Sequence, residues 1–267
     1  MRYIIRHTTV YHYTTPANYT IQTLRLTPRA DAHQRIIRWQ LHTPGGLQPS
    51  IDAYGNQTHT LTINQPHAAI ELRVDGLIEM SPLTEGRIIE ESGLPVQAFQ
   101  VATSLTQADA RVRAFFAKVL PNGIQAPEDA LALAHHICDV VAYEPGTTDV
   151  TTAAGEVLEL GHGVCQDHAH LFLACCHAHG IPARYVSGYI DPEDTGHAAS
   201  HAWVDAWAED KDYVGWISID VTHSRLMTDA YCRLAIGRDY DSAAPVRGVR
   251  SGGGQESMVV DVQIVAR

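Results

Sequence analysis

Three residue types that together perform acyl-transfer chemistry stand in order in the C-terminal half of the chain: Cys165, His201 and Asp220. A thiolate attacks an amide carbonyl, an imidazole shares and delivers the proton, and a carboxylate fixes the imidazole's tautomer and orientation. Cys165 follows the turn Gly161-His-Gly-Val and opens a run of helix formers that ends at His179. Gly180 suits the left-handed position just past a helix, and Pro182 blocks continuation. The pattern predicts a helix of about fifteen residues with Cys165 at its start. Ala169, Phe172, Leu173 and Cys176 recur at helical spacing, and Leu171, Ala174, Cys175 and Ala178 fill much of the remaining surface. A helix apolar nearly all round is a buried one. The free N–H groups and positive dipole end at its N-terminus favour thiolate over thiol.

The histidine and the aspartate need a scaffold of their own. His201-Ala-Trp-Val-Asp-Ala-Trp-Ala208 alternates strictly, so His201, Trp203, Asp205 and Trp207 share one face of a strand. Glu209-Asp-Lys-Asp212 reads as a turn and Tyr213 to Asp220 as the returning strand. If that turn closes symmetrically, residue 208 pairs with 213 and His201 with Asp220, on one face and with Cβ atoms about 4.5–5.5 Å apart. The order cysteine on a helix start, histidine and then aspartate on strands is the papain-like arrangement.

Around this centre the chain divides into two regions, 1–100 and 101–267. The first is read as antiparallel β, with strands at 3–11, 20–26, 35–42, 58–63 and 69–74 separated by Pro16, Pro28, Pro44-Gly-Gly46, Tyr54-Gly-Asn56 and Asp75-Gly76. Short strands at such spacing indicate a sandwich or a curled sheet. No reactive cluster stands out there, and its histidines read as strand-surface residues; a substrate-guiding or packing role for the region is the other reading. The second region is α+β. It has helices over 107–120 and 127–141, a polar loop over 143–152, the cysteine helix, and a strand at 183–190. A loop at 191–196, the hairpin and a closing strand at 258–266 follow. Ser251-Gly-Gly-Gly254 reads as a tight or mobile turn.

Composition narrows the functions. A net charge of −11 over 267 residues argues against nucleic acid and anionic membrane surfaces, which need clustered Lys and Arg. No apolar run approaches the roughly 20 residues of a membrane-spanning helix. Met1 to Tyr13 carries Arg2, Arg6 and His7 without a continuous apolar core, and so does not read as a signal peptide. Five cysteines in a chain of this length make no disulfide framework, so reduced, cytoplasmic thiols are the expectation.

Four motifs together, Gly163-Val-Cys-Gln-Asp-His-Ala-His170, Gly180-Ile-Pro-Ala-Arg-Tyr-Val-Ser-Gly-Tyr189, Ser200-His-Ala-Trp-Val-Asp205 and Gly215-Trp-Ile-Ser-Ile-Asp220, resemble the transglutaminase-like superfamily. They are most similar to its bacterial branch of proposed cysteine proteases. Ala235 to Tyr240 and Pro245 to Gly248 resemble that branch's C-terminal segment, and Leu24-Arg-Leu-Thr-Pro28 its N-terminal β region. The resemblance implies a papain-like core, a helix carrying Cys165 on an antiparallel sheet carrying His201 and Asp220, and those three residues as the catalytic set. The implied activity is cleavage of a peptide or amide bond through an acyl-enzyme, with no cofactor and no metal. The same triad could instead pass the acyl group to an amine, or the fold could be a silent binding module. Two departures flank the site: Asp220-Val-Thr-His replaces the family's Asp-Pro-Thr-Asn, and His168 stands where an aromatic is common.

Other residues have competing readings. His162, Cys165, His168 and His170 have zinc-ligand chemistry, but residues two apart on a helix point about 200° apart. Asp167, in the first helical turn, reads either as a dipole partner or as a residue that orients the site. Trp203 is either core or a wall over His201. Arg238 and Asp239 read first as a structural pair, the other reading being that Arg238 meets a substrate carboxylate. Cys138, Cys175, Cys176 and Cys232 read as inert. The Cys165 backbone N–H is the expected first oxyanion donor, and no second donor is identifiable from sequence.

Overall fold

The computed structural model describes residues 1–29, 31–89, 93–191, 199–209 and 213–267, without the side chain of residue 199. The turn expected at 209–212 and most of the loop at 191–196 therefore lie outside the described residues. The fold is α+β, with two antiparallel sheets and a helical layer. The first sheet contains β1 (Arg2–Leu24), β2 (Gln34–His42), β3 (Leu47–Ile51), β4 (Gln57–Ile63) and β5 (His67–Met80). The second contains β6 (Arg87–Ile88), β9 (Ala183–Ile190), β10 (Ala199–Glu209), β11 (Val214–Asp220), β12 (Arg225–Leu226) and β13 (Tyr231–Gly237). A two-strand ladder pairs β7 (Ala142–Tyr143) with β8 (His162–Gly163). The helices are α1 (Ala110–Val119), α2 (Pro127–Val140), α3 (Ala154–Leu160), α4 (Cys165–Ala178) and α5 (Tyr240–Ala243).

The sequence division at residue 100 does not follow the sheets. The last two strands, β14 (Val246–Gly252) and β15 (Glu256–Ala266), both pair with β1 and complete the first sheet. The reason lies in β1, which runs through Pro16 as one strand where the sequence suggests two. Its ladder shifts register between His12 and Ala17 and again between Ala17 and Tyr19. A proline has no N–H for a ladder and fits such a bulge. Before the bulge odd-numbered residues from Tyr3 to Tyr13 are buried, and after it Thr20, Gln22 and Leu24 are. The partners bend with it. On one side β5 follows the first half of β1 and β4 the second, and on the other β15 and β14 do the same. Ser251-Gly-Gly-Gly254 is thus no hairpin turn. It is the matching kink opposite Pro16, with Gly252, Gly253 and Gly254 all at positive φ, where a side chain would be strained. The bent sheet encloses one core around Leu61, Leu72 and Val74 and packs Ile5, Ile78 and Ile264 against Tyr189 and Leu234 of the second sheet.

The second sheet has two unlike faces. Ala202, Val204, Ala206 and Ala208 of β10 meet the helical layer. Small side chains there let α4 lie close to the strand. α4 is buried from Gln166 to His177, as its all-round apolar pattern requires. The opposite face carries Trp203, Trp216 and Tyr231 and a charge network the sequence does not announce. Asp205 is fully buried and accepts from Arg184 Nε at 2.8 Å and from both terminal nitrogens of Arg233, at 2.8 and 2.6 Å. Burial opposes the Asp205 charge, but the two guanidinium groups overcome it and hold the carboxyl well below its usual range. Arg184 also lies over the Trp216 ring at 4.2 Å. The edge strand β13 is covered by two carboxamides from the first sheet, one at the start of β2 and one in the connection before β4. Gln34 bonds both backbone groups of Arg233, and Asn56 both those of Ile236.

Removing one member of a buried ion pair leaves its partner charged and uncompensated. Asp205→Ala is therefore expected to destabilise the fold by about 3–5 kcal/mol. Urea unfolding followed by tryptophan fluorescence measures it, and a loss under about 1 kcal/mol would contradict this account of the network.

Candidate active site

Cys165 is the first residue of α4 and is partly exposed. The turn before it is held from inside the helix. Asp167 Oδ2 accepts the Val164 N–H at 2.7 Å and the Thr148 hydroxyl at 2.6 Å. Asp167 is fully buried, and burial raises its carboxyl pKa against those bonds. It is more than a dipole partner, because it ties the loop before α3 to the turn that presents the cysteine. Gly163 is required by the same contact: a Cβ there would lie 2.7 Å from Asp167 Cβ. The β7–β8 ladder and the Glu144 N–H bond to the Gly163 carbonyl, 2.8 Å, fix the turn from the other side.

His201 and Asp220 meet, but not through the symmetric hairpin. β10 and β11 pair Val204 with Ile219 and Ala208 with Gly215, two residues off the symmetric register. An even offset keeps both residues on one face, so the side chains reach each other diagonally, His201 Nε2 donating to Asp220 Oδ2 at 2.9 Å. Asp220 Oδ2 also accepts from His223 Nδ1 at 2.7 Å and from the Tyr231 hydroxyl at 2.7 Å, and Oδ1 accepts the His223 backbone N–H at 3.2 Å. Arg225 Nε donates to the Tyr231 oxygen at 2.6 Å. Burial would raise the Asp220 pKa, but the His201 charge and the hydrogen bonds of both histidines hold it well below the carboxylate range. Burial likewise works against a charge on His201. The Asp220 carboxylate, with the Cys165 sulfur bonded to the same ring, raises its pKa to about 10. Trp203 is fully buried and its ring is tilted only 28° from that of His201, 6.1 Å away. It is core and ring support together.

The two departures from the family pattern have defined places. His223, at the family's asparagine position, is a further donor to the triad carboxylate. His168 lies behind the site, its Nε2 donating to the Val141 carbonyl at 3.1 Å and its Nδ1 accepting from Thr222 Oγ1 at 3.1 Å. Burial lowers its pKa and keeps it neutral. His170 is buried with its Nε2 accepting the Tyr240 N–H. These partners separate the residues of the zinc reading. Among the described residues the one group of metal-ligating atoms close together is His201, Asp220 and His223, and mutual hydrogen bonds account for it. Asp239 caps α5 through the Ser242 N–H and makes no ion pair with Arg238, contrary to the structural pair expected from sequence.

Sequence reasoning named none of the residues on one wall of the site. Cys165 and His201 open into a cavity of about 240 Å³ also lined by Tyr185 and Tyr240 and, from the first sheet, by Thr9, Tyr11, Val246, Met258 and Val260. The β region is thus part of the site. The signal was the odd–even alternation of β1 and β15, but nothing in it says which end of a face is covered.

A cysteine at a helix N-terminus facing a histidine–aspartate pair on an antiparallel sheet defines a papain-like α+β architecture. The chain belongs to the transglutaminase-like superfamily. The pattern of the Transglutaminase-like superfamily matches residues 114–221, and that of the Bacterial transglutaminase-like N-terminal region residues 3–79. An uncharacterized protein of Mycobacterium leprae is 31% identical over 97% of this chain and 96% of its own length. An uncharacterized protein of Mycobacterium tuberculosis H37Rv is 29% identical over 98% of this chain and 91% of its own. The solved structure of a "Putative Cysteine Protease" from Cytophaga hutchinsonii shares the fold at a TM-score of 0.80, with 21% identity, over 99% of this chain and 90% of that one.

Two outcomes follow from this geometry. Burial raises the thiol pKa of Cys138, Cys175, Cys176 and Cys232, so brief iodoacetamide treatment is expected to modify Cys165 alone, as read by peptide mass mapping. The stability that the charged His201 contributes is fully present below its ordinary pKa of 6.5 and is lost as pH rises through about 10, where the native ring itself titrates. NMR titration of the His201 ring should find that raised midpoint in the native protein and a midpoint moved toward 6.5 in Asp220→Asn.

Proposed function

We propose that the protein is a thiol hydrolase that cleaves peptide or amide bonds through Cys165, His201 and Asp220. One observation carries this reading: His201 is bonded on one nitrogen to a buried carboxylate and engages the helix-start cysteine with the same ring. That arrangement lets the thiol proton pass to the His201 ring as the sulfur attacks. In the proposed cycle the Cys165 sulfur forms a bond to the amide carbon, and the carbonyl oxygen takes the negative charge. Collapse breaks the C–N bond as His201 gives its proton to the leaving amine. The neutral imidazole then takes a proton from water, whose oxygen attacks the thioester. The C–S bond breaks, the acid leaves, and the Cys165–His201 pair is restored.

The tetrahedral oxygen needs donors. The Cys165 N–H at the start of α4 is the first. We assign the second to the Tyr185 hydroxyl. Tyr185 is 2% exposed and lines the same cavity, and its hydroxyl makes no hydrogen bond to any described residue. Tyr185→Phe is expected to lower kcat by about 10²-fold with little change in KM, since losing one such donor costs about 10²–10³. An unchanged kcat would remove Tyr185 from this role.

Transfer to an amine begins identically and differs only in what resolves the thioester. An amine competes with water where a dedicated site binds it and excludes water. The acidic segment at 191–200 could attract a lysine but reads more simply as a solvated connection; it lies mostly outside the described residues, and hydrolysis is the reading we hold. The deciding assay offers an amide substrate with excess labelled primary amine, with Cys165→Ala as the inactive control. Free acid is expected to dominate, and dominance of labelled amide would make the protein an amine transferase. The five free cysteines support a reducing, cytoplasmic setting for this thiol chemistry.

A further inference from the structure

The face of the first sheet that seals the interdomain core does not end where that core ends. Along β15 the inward residues run Ile264, Val262, Val260 and Met258, opposite Ile5, His7, Thr9 and Tyr11 of β1. Ile264 and Val262 are buried, whereas Val260 and Met258 are 42% and 56% exposed and front the cavity that holds Cys165 and His201. The apolar stripe therefore continues past its protein partner and into the site.

The rest of the cavity carries no fixed charge beyond the Cys165–His201 pair. Among the described residues that line it there is no Asp, Glu, Lys or Arg. His7, beneath it, bonds Tyr189 and Thr9, and burial lowers its pKa to about 4 against the pull of Asp261, so it is neutral at pH 7. The hydroxyls of Tyr11 and Tyr240 make no hydrogen bond to any described residue, leaving rings that offer apolar surface with polar tips. A volume of about 240 Å³ is below the roughly 300–1,000 Å³ of sites that enclose whole small-molecule ligands. It suits a single side chain.

We infer that this cavity is a specificity subsite for an uncharged, largely apolar side chain, borne by the residue whose carbonyl Cys165 attacks. The inference rests on Cys165 being the nucleophile. A charged side chain entering here would lose its water and meet no partner, while an apolar one covers Met258, Val260 and Val246. The β region thereby selects the substrate, and the C-terminal strand β15 supplies the selecting residues.

Alkylation of Cys165 tests this without any known substrate. Iodoacetamide, N-benzyl iodoacetamide and N-(4-carboxybenzyl) iodoacetamide share one reactive group. Each rate is read by mass mapping and divided by that reagent's rate with glutathione. The benzyl reagent is expected to exceed iodoacetamide by about ten-fold or more, the scale on which an apolar pocket discriminates, and the carboxybenzyl reagent to lose that advantage. Val260→Glu and, separately, Met258→Glu should abolish the preference with circular dichroism unchanged, while Val260→Leu keeps it. Equal normalised rates for the three reagents, or a preference that survives both glutamate variants, would overturn the subsite while leaving the nucleophile in place. Failure of iodoacetamide itself to select Cys165 would overturn the nucleophile and the subsite together.

Discussion

The buried carboxylate of Asp220 is the interaction on which the site depends. It is fully enclosed, and one of its oxygens accepts from His201, His223 and Tyr231. An ionised carboxylate in such a place persists only when its lone pairs are used. Its donors come from β10, from the turn after β11 and from β13, so the charge and the local fold hold each other. The His201 ring is fixed by this bond on one side, by Trp203 along its face, and by the cysteine at the start of α4. His223 adds a side-chain donor to those of His201 and Tyr231.

Asp220 has a counterpart on the same face of the same sheet. Asp205 is equally buried but is answered by two arginines rather than by histidines. The difference sets the roles. Guanidinium groups do not give up a proton near neutrality, so the Asp205 network is electrostatically fixed and structural. An imidazole does exchange its proton, so the pair that includes His201 can take part in chemistry. Arg233 also forms an ion pair with Asp31, and Gln34 hydrogen-bonds the Arg233 backbone, which joins the structural network to the first sheet.

The two sheets are coupled by the path of the chain. Residues 246–266 leave the second sheet after α5 and return to lie along β1. Two proline- and glycine-bearing kinks face each other, one at Pro16 and one at Gly252 to Gly254, and bend the whole first sheet at one line. Half of the inner face then closes on β9 and β13, and the continuation reaches the cysteine. A simple division into β region and catalytic region misses this, because the last strands belong by sequence to one and by hydrogen bonding to the other.

Local patterns determined much of the catalytic half. The all-round apolar run after Cys165, with Gly180 and Pro182 behind it, could only be a buried helix starting at the cysteine. Strict alternation from His201 to Ala208 placed histidine, Trp203 and Asp205 on one face. The His201–Asp220 contact was readable too, although through a register two residues off, because parity survives an even shift. α3 was missed because its seven residues carry too short a pattern. β13 was not read at all. Tertiary structure alone decided the rest. That Asp205 meets Arg184 and Arg233, that Pro16 lies inside one strand, and that Met258 and Val260 front the nucleophile all depend on contacts between residues far apart in sequence. Periodicity states which side chains share a face. It does not state what that face will meet, because the partner is chosen by packing and burial over the whole chain.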